Sequence, residues 1–117
     1  MIAVIFEVWP KSGHLEDYLA EAKELRVLLE STEGFISIER FESLTHSGKI
    51  LSLSFFENED AVQTWRNTIE HRKAQALGRK KLFADYRLRI ASVLRDYGMN
   101  DRAQVPADSR SLHDARS

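Results

Sequence analysis

The chain opens with an extended apolar pattern: Ile2, Val4, Phe6 and Val8 fall on one side of a strand running Ile2 to Trp9, and Ala3, Ile5, Glu7 and Trp9 on the other. Both sides are largely apolar. Pro10 has no amide hydrogen for a ladder, and Ser12-Gly13 permits a turn, so the strand should stop there. The period then changes from two to about 3.6. Leu15, Tyr18, Leu19, Ala22, Leu25 and Leu29 form one stripe, predicting an amphipathic helix from His14 to about Ser31, with Glu16 and Asp17 favoured at its positive end. Gly34 ends this segment. Residues 35–42 and 50–56 read as two strands joined by the short turn 44–49, hence an antiparallel hairpin.

Asn58 is a candidate N-cap for a second helix that begins with Glu59 and Asp60 and carries Ala61, Val62 and Trp65 on one face. Thr68 can cap a short third helix from Ile69 to about Leu77. In the stretch Phe83 to Arg95, Tyr86, Leu88 and Ile90 alternate with Arg87 and Arg89, which predicts a fourth strand with one solvated side. Beyond Gly98 the hydrophobicity collapses, leaving a polar tail over residues 99–117 that is either loose or strapped onto a partner. The order β-α-β-β-α-(α)-β predicts an α+β, ferredoxin-like split β-α-β domain over residues 1–98, with helices on one side of the sheet. Each Leu-, Ile- or Phe-sized side chain left in water on the other side forfeits roughly 1.5–3 kcal/mol. A second copy of the chain is therefore expected to cover that side, making a homodimer.

Composition narrows the chemistry. The 117 residues suit a single domain, and the 17 basic and 18 acidic side chains leave a net charge of -1, which provides no global field for nucleic acid or an anionic bilayer. The absence of Cys removes disulfides, thiolate metal sites and a cysteine nucleophile, and the reading is a cytoplasmic protein without a membrane span. No nucleotide-binding, zinc-hydrolase or serine-hydrolase motif is present, and His14, His46, His71 and His113 have no helical i, i+4 pairing that would hold a metal. The basic run Arg79-Lys80-Lys81 with Arg87 and Arg89 lacks interleaved aromatics and reads as a solvated face.

What remains is a cavity between sheet and helices, in which a few polar groups decide the chemistry. Arg26 lies on the apolar stripe of the first helix, where it either pairs with Glu7 or faces a ligand. Trp65 is either a core aromatic or a cavity wall, and His71 either a surface histidine or a catalytic one.

Taken together, Glu33-Gly34-Phe35, Ser52-Leu-Ser-Phe-Phe, the run from Glu59 through Trp65 to His71-Arg72, and Phe83-Ala-Asp-Tyr86 resemble the antibiotic biosynthesis monooxygenase family over residues 1–98. The resemblance implies a dimeric α+β barrel, in which two ferredoxin-like sheets face each other and each subunit keeps its own pocket. It further implies oxidation of an aromatic or polycyclic substrate without metal or flavin, the substrate anion handing an electron to O₂. Catalytic roles then fall to Glu7, Trp65 and His71: Trp65 forms a wall and His71 or Glu7 takes the proton. Arg26 stabilises the anion, and Gln75 completes the substrate-binding set.

A haem-degrading branch of the same family pairs a strand Asn with a helical Trp and a His ten residues later. Here Glu7 stands at the Asn position and Gln75 at the His position, so haem would have to be ligated by His71. The N-terminal MIAVIFEV and the closing Arg95-Asp-Tyr-Gly are similar to that branch. The alternatives are therefore a haem-degrading enzyme and a non-enzymatic ligand-binding dimer.

Overall fold

The structure is a computed structural model that describes residues 1–77 and 81–108. Its elements run β1 (Ile2–Pro10), α1 (Leu15–Glu30), β2 (Phe35–Glu42), β3 (Ile50–Phe56), α2 (Glu59–Arg66), α3 (Ile69–Leu77) and β4 (Phe83–Ser92). The four strands form one sheet in the order β2-β3-β1-β4, with every neighbouring pair antiparallel. This is the ferredoxin-like α+β arrangement that the alternation of periods predicts. β1 lies inside the sheet: its residues Ile2 to Val8 each have a partner on both flanks, while Trp9 and Pro10 pair with β4 alone.

Local chemistry sets the boundaries. The Asn58 side chain accepts a hydrogen bond from the Ala61 amide at 2.9 Å and so caps α2. The Thr68 hydroxyl accepts one from the His71 amide at 3.2 Å, as expected for the start of α3, and donates to the Trp65 carbonyl at 2.8 Å. This one side chain ties the end of α2 to the start of α3. His14 makes no side-chain cap on α1 and instead lies 3.0 Å from Asp17. Gly34 has φ +84, a left-handed conformation in which a side chain is strained, and its carbonyl accepts a 2.8 Å bond from the Glu57 amide.

Two apolar clusters hold the helices to the sheet. One joins Ile2, Leu29, Phe56, Ala61, Val62 and Trp65; the other joins Val8, Tyr18 and Ile50. On α1 the buried positions are Tyr18, Ala22 and Leu29, whereas Leu19 from the predicted stripe is 36% exposed. β4 ends at Ser92, three residues earlier than expected, and the Val93 amide then donates to the Met1 carbonyl at 3.0 Å. The described part of the tail folds back locally: the Gly98 amide reaches the Asp101 carbonyl at 2.7 Å, the Asp96 amide reaches Gln104 Oε1 at 2.8 Å, and Val105 is buried. Arg79, Lys80 and His113 of the sequence reading lie outside the described residues. No helix among the described residues is long and apolar enough to cross a membrane.

Candidate functional site

Strand parity decides what faces the helices. Val4 and Phe6 of β1, Ile38 and Arg40 of β2, Ser52 and Ser54 of β3, and Tyr86, Leu88 and Ile90 of β4 all line a cavity of about 390 Å³ between sheet and helices. The helices close it with Tyr18, Ala22, Arg26 and Leu29 from α1, Trp65 and Arg66 from α2, and His71 and Gln75 from α3. Four of the five sequence-predicted site residues, Arg26, Trp65, His71 and Gln75, therefore meet in one space.

Glu7 is the exception. As an odd-numbered residue of β1 it points to the helix-free side, where its carboxylate lies 3.0 Å from Arg89 Nη1 and 3.3 Å from Lys49 Nζ. Arg89 stands opposite Ile5 rather than Glu7, so this ion pair runs diagonally between neighbouring strands. The hydrogen bonds from Arg89 and Lys49 hold the Glu7 carboxyl below its ordinary pKa. The expected Glu7–Arg26 pair does not form, because the sheet itself separates them. Arg26 instead bonds Glu30 one helical turn on, at 2.9 Å. Glu7 is accordingly not placed to take a proton inside this cavity.

Trp65 and His71 form the wall of the site. Their rings stack with centroids 5.0 Å apart and planes inclined by 25°. Trp65 is both core and wall: it packs in the larger apolar cluster and lines the cavity. Burial pushes the His71 imidazole below its ordinary pKa, with the charges of Arg66 and Arg72 acting in the same direction. The Arg66 backbone opposes part of that shift, yet the buried Nδ1 of His71 makes no hydrogen bond of good geometry. That shift favours the uncharged ring. Tyr18, Phe6, Phe83 and Tyr86 form a further aromatic group, with centroid separations of 5.7 Å for Phe6–Phe83 and for Tyr18–Phe83 and 5.8 Å for Phe6–Tyr86.

The sequence reading missed Arg40. It lines the cavity, its Nε is buried without a hydrogen-bond partner, and among the described residues it makes no ion pair. Leaving a buried N–H unsatisfied costs about 1–3 kcal/mol, and more when the group is charged. The signal was legible in part: Arg40 is two residues from Ile38 and so shares its side of the strand. A register irregularity between Phe35 and Ser37 breaks the alternation that would have revealed this earlier in β2. Ser52 and Ser54 were also passed over, although both are buried polar residues on the same face. Among the described residues no group of three or more His, Asp or Glu side chains is placed to hold a metal ion.

The family model of the antibiotic biosynthesis monooxygenases matches residues 1–77. The chain is 40% identical over 115 residues to "Jasmonate monooxygenase ABM" of Pyricularia oryzae; the match covers 97% of this chain but spans only 54% of that relative. It is 30% identical over 91 residues to the uncharacterized protein YqjZ of Bacillus subtilis, covering 78% of this chain and 77% of that one.

Two solved structures share the fold at low identity. Rv0793 of Mycobacterium tuberculosis superposes with a TM-score of 0.74 at 15% identity, over 83% of this chain and 98% of that one. A Deinococcus radiodurans protein described as an antibiotic biosynthesis monooxygenase gives a TM-score of 0.73 at 14% identity, over 85% and 98%. The sheet order, the helices on one side and the sequence match over most of the domain converge: the chain belongs to the antibiotic biosynthesis monooxygenase family.

Proposed function

We propose that the chain is a small monooxygenase whose substrate, an apolar ring-bearing molecule, occupies the cavity between sheet and helices. The observation that carries this reading is the His71–Trp65 pair on the cavity wall: a half-buried imidazole whose buried Nδ1 has no hydrogen-bond partner among the described residues, stacked on a large aromatic surface. The relative from Pyricularia oryzae, named for oxygenation of jasmonate, supports a small ring compound as substrate. The aromatic lining of Phe6, Tyr18 and Tyr86 suits an aromatic or polycyclic body equally well. At about 390 Å³ the cavity lies toward the small end of ligand sites.

The chemistry asks little of the protein and uses neither metal nor flavin. His71 accepts a proton from an acidic C–H or O–H of the substrate, and the resulting anion passes an electron to O₂. Recombination gives a hydroperoxide. Its loss of water converts an activated CH₂ into C=O, so that one oxygen atom stays with the substrate, the other leaves as water, and the substrate supplies all the electrons. Arg26 on α1 has its Nε bonded to Glu30 and so adds no net charge, but its remaining N–H groups are donors for the developing oxyanion, and Trp65 keeps water out. Gln75 contributes an amide to the same wall.

The helix-free side supports a homodimer. Ile5, Trp9, Leu51, Leu53 and Phe55 lie there half-buried, Phe41 is 43% exposed, and the charged cluster of Glu7, Lys49 and Arg89 sits among them. A second copy would cover this apolar surface, and sedimentation tests it.

The activity test exposes purified protein to heavy-isotope dioxygen with anthrone and with jasmonate, each with and without reduced nicotinamide. Label in the product, abolished in His71→Ala, is the expected result; no label in any arm overturns the oxygenase reading and leaves a ligand-binding dimer. A hemin titration runs alongside, because His71 offers a cavity ring nitrogen while Gln75 offers only an amide. A Soret shift at one haem per subunit, lost in His71→Ala, would transfer the assignment to haem degradation.

A further inference from the structure

The cavity floor is polarised from one edge of the sheet to the other. Across the sheet, one row of paired residues runs Arg40–Ser52–Phe6–Leu88, and the adjacent row Ile38–Ser54–Val4–Ile90. Arginine and the two serines therefore sit over β2 and β3, whereas β1 and β4 offer Val4, Phe6, Phe83, Leu88 and Ile90 together with the Tyr86 ring, a mostly apolar and aromatic surface without a charge. Among the described residues Arg40 is the unsatisfied member of this floor, its Nε buried and without a hydrogen-bond partner.

We infer that Arg40 is the anchor for a carboxylate on the substrate, setting the molecule with its acid head over β2 and its apolar body lying toward β4. The inference rests on the reading of this cavity as the substrate site. A guanidinium presents Nε–H and an Nη–H as a planar fork, which matches the two oxygens of a carboxylate. The hydroxyls of Ser52 and Ser54 stand beside it as further donors.

The charge around the cavity favours a single negative head. Arg26 is neutralised by Glu30, Glu21 offsets one of the two remaining guanidiniums, Arg40 and Arg66, and one positive charge is left over. That balance suits a monoanion better than a phosphate. The span from β2 to β4 is three interstrand spacings, about 14 Å, which gives an apolar body room to extend over Phe6 and Leu88. Arg40 then discriminates acids from their neutral esters, while residues on other elements carry the oxygen chemistry.

The test is isothermal titration of the full chain with three carboxylates (jasmonate, naphthoate and decanoate) and the methyl ester of each. The wild type is expected to prefer the acids by about ten- to a hundredfold, the range of one charge-assisted hydrogen-bonded contact. In Arg40→Gln the acids should fall to the affinity of the esters while ester affinity holds, and Arg40→Lys should recover part of the difference. Arg66→Gln should keep the acid preference. Absence of any acid preference in the wild type, its survival in Arg40→Gln, or its loss in Arg66→Gln alone overturns the assignment.

Thermal unfolding guards against a misfolded variant. Removing an unsatisfied buried N–H should leave the melting temperature of Arg40→Gln unchanged or raised, and a fall of several degrees would mark Arg40 as structural and overturn the assignment. Acid preference without oxygen incorporation would uphold Arg40 and remove the oxygenase reading. Oxygen incorporation without acid preference would do the reverse.

Discussion

Replacing Gly34 by Ala tests how tightly the hairpin is locked against the helix that carries Trp65. Two separable costs are built into that position. Its φ of +84 is left-handed, which costs an L-residue about 1–2 kcal/mol. In addition, an added Cβ would meet the Ala61 Cβ at 2.6 Å, far inside the ordinary carbon–carbon separation of about 3.5–4.0 Å. Because Ala61 is on α2, relief requires the helix to move, and overpacking of this kind costs about 1–3 kcal/mol. Gly34→Ala should therefore lose about 2–5 kcal/mol in total.

Gly13 and Gly48 supply the control, since both have left-handed φ, +82 and +83, with nothing within 4 Å of an added Cβ. Their Ala variants should lose only the conformational part, about 1–2 kcal/mol. Ala61→Gly supplies the other control: alone it costs about 1 kcal/mol in helix propensity, but it opens space for the new methyl group. In that background Gly34→Ala should be less costly by about 1–3 kcal/mol, a coupling measurable as a double-mutant cycle. Urea denaturation at one fixed protein concentration reads the wild type and all five variants, so that any self-association is held constant. The reasoning fails if Gly34→Ala costs no more than Gly13→Ala, or if its cost is unchanged when Ala61 is Gly.

Trp65→Ala should lower stability by about 3–5 kcal/mol, the usual cost of emptying a core aromatic site, because Trp65 packs in the main apolar cluster as well as lining the cavity; Trp65→Phe should lose much less in the same urea assay. Burial depresses the His71 pKa, so the folded state binds fewer protons than the unfolded chain once pH drops below the ordinary value of 6.5. Stability should fall with pH through that window, and His71→Gln should flatten the fall in melting temperature there. Glu7 acts in a lower window: its carboxyl is depressed by Arg89 and Lys49, so its contribution is present above the ordinary 4.5 and is lost as pH falls through the lowered value. Glu7→Gln should remove that acid-side loss while leaving ligand affinity at the cavity unchanged, because the two lie on opposite sides of the sheet.

Most of the fold was legible because each element carries its own period and its own punctuation. The shift from alternation in β1 to the stripe of α1, the cap at Asn58 and the turn before Ile50 are local signals that tertiary contacts reinforce. The site was legible where residues lie on helices facing the sheet, as Trp65, His71, Gln75 and Arg26 do. Glu7 was misplaced for a reason its own strand makes plain: it alternates with Val4 and Phe6, so it cannot share their side. Arg40 escaped notice because its unpaired state depends on what surrounds it, which sequence spacing does not disclose. Partnerlessness is a property of three dimensions.

The central position of β1 has a further consequence. Adjacent residues of this strand serve two independent audiences: Val4 and Phe6 address the chamber, while Ile5 and Glu7 address whatever meets the open side. Selection can therefore retune ligand choice and self-recognition separately, one letter apart. A slip of a single position along the strand would transpose both vocabularies at once, which makes an insertion or deletion there far more disruptive than any substitution.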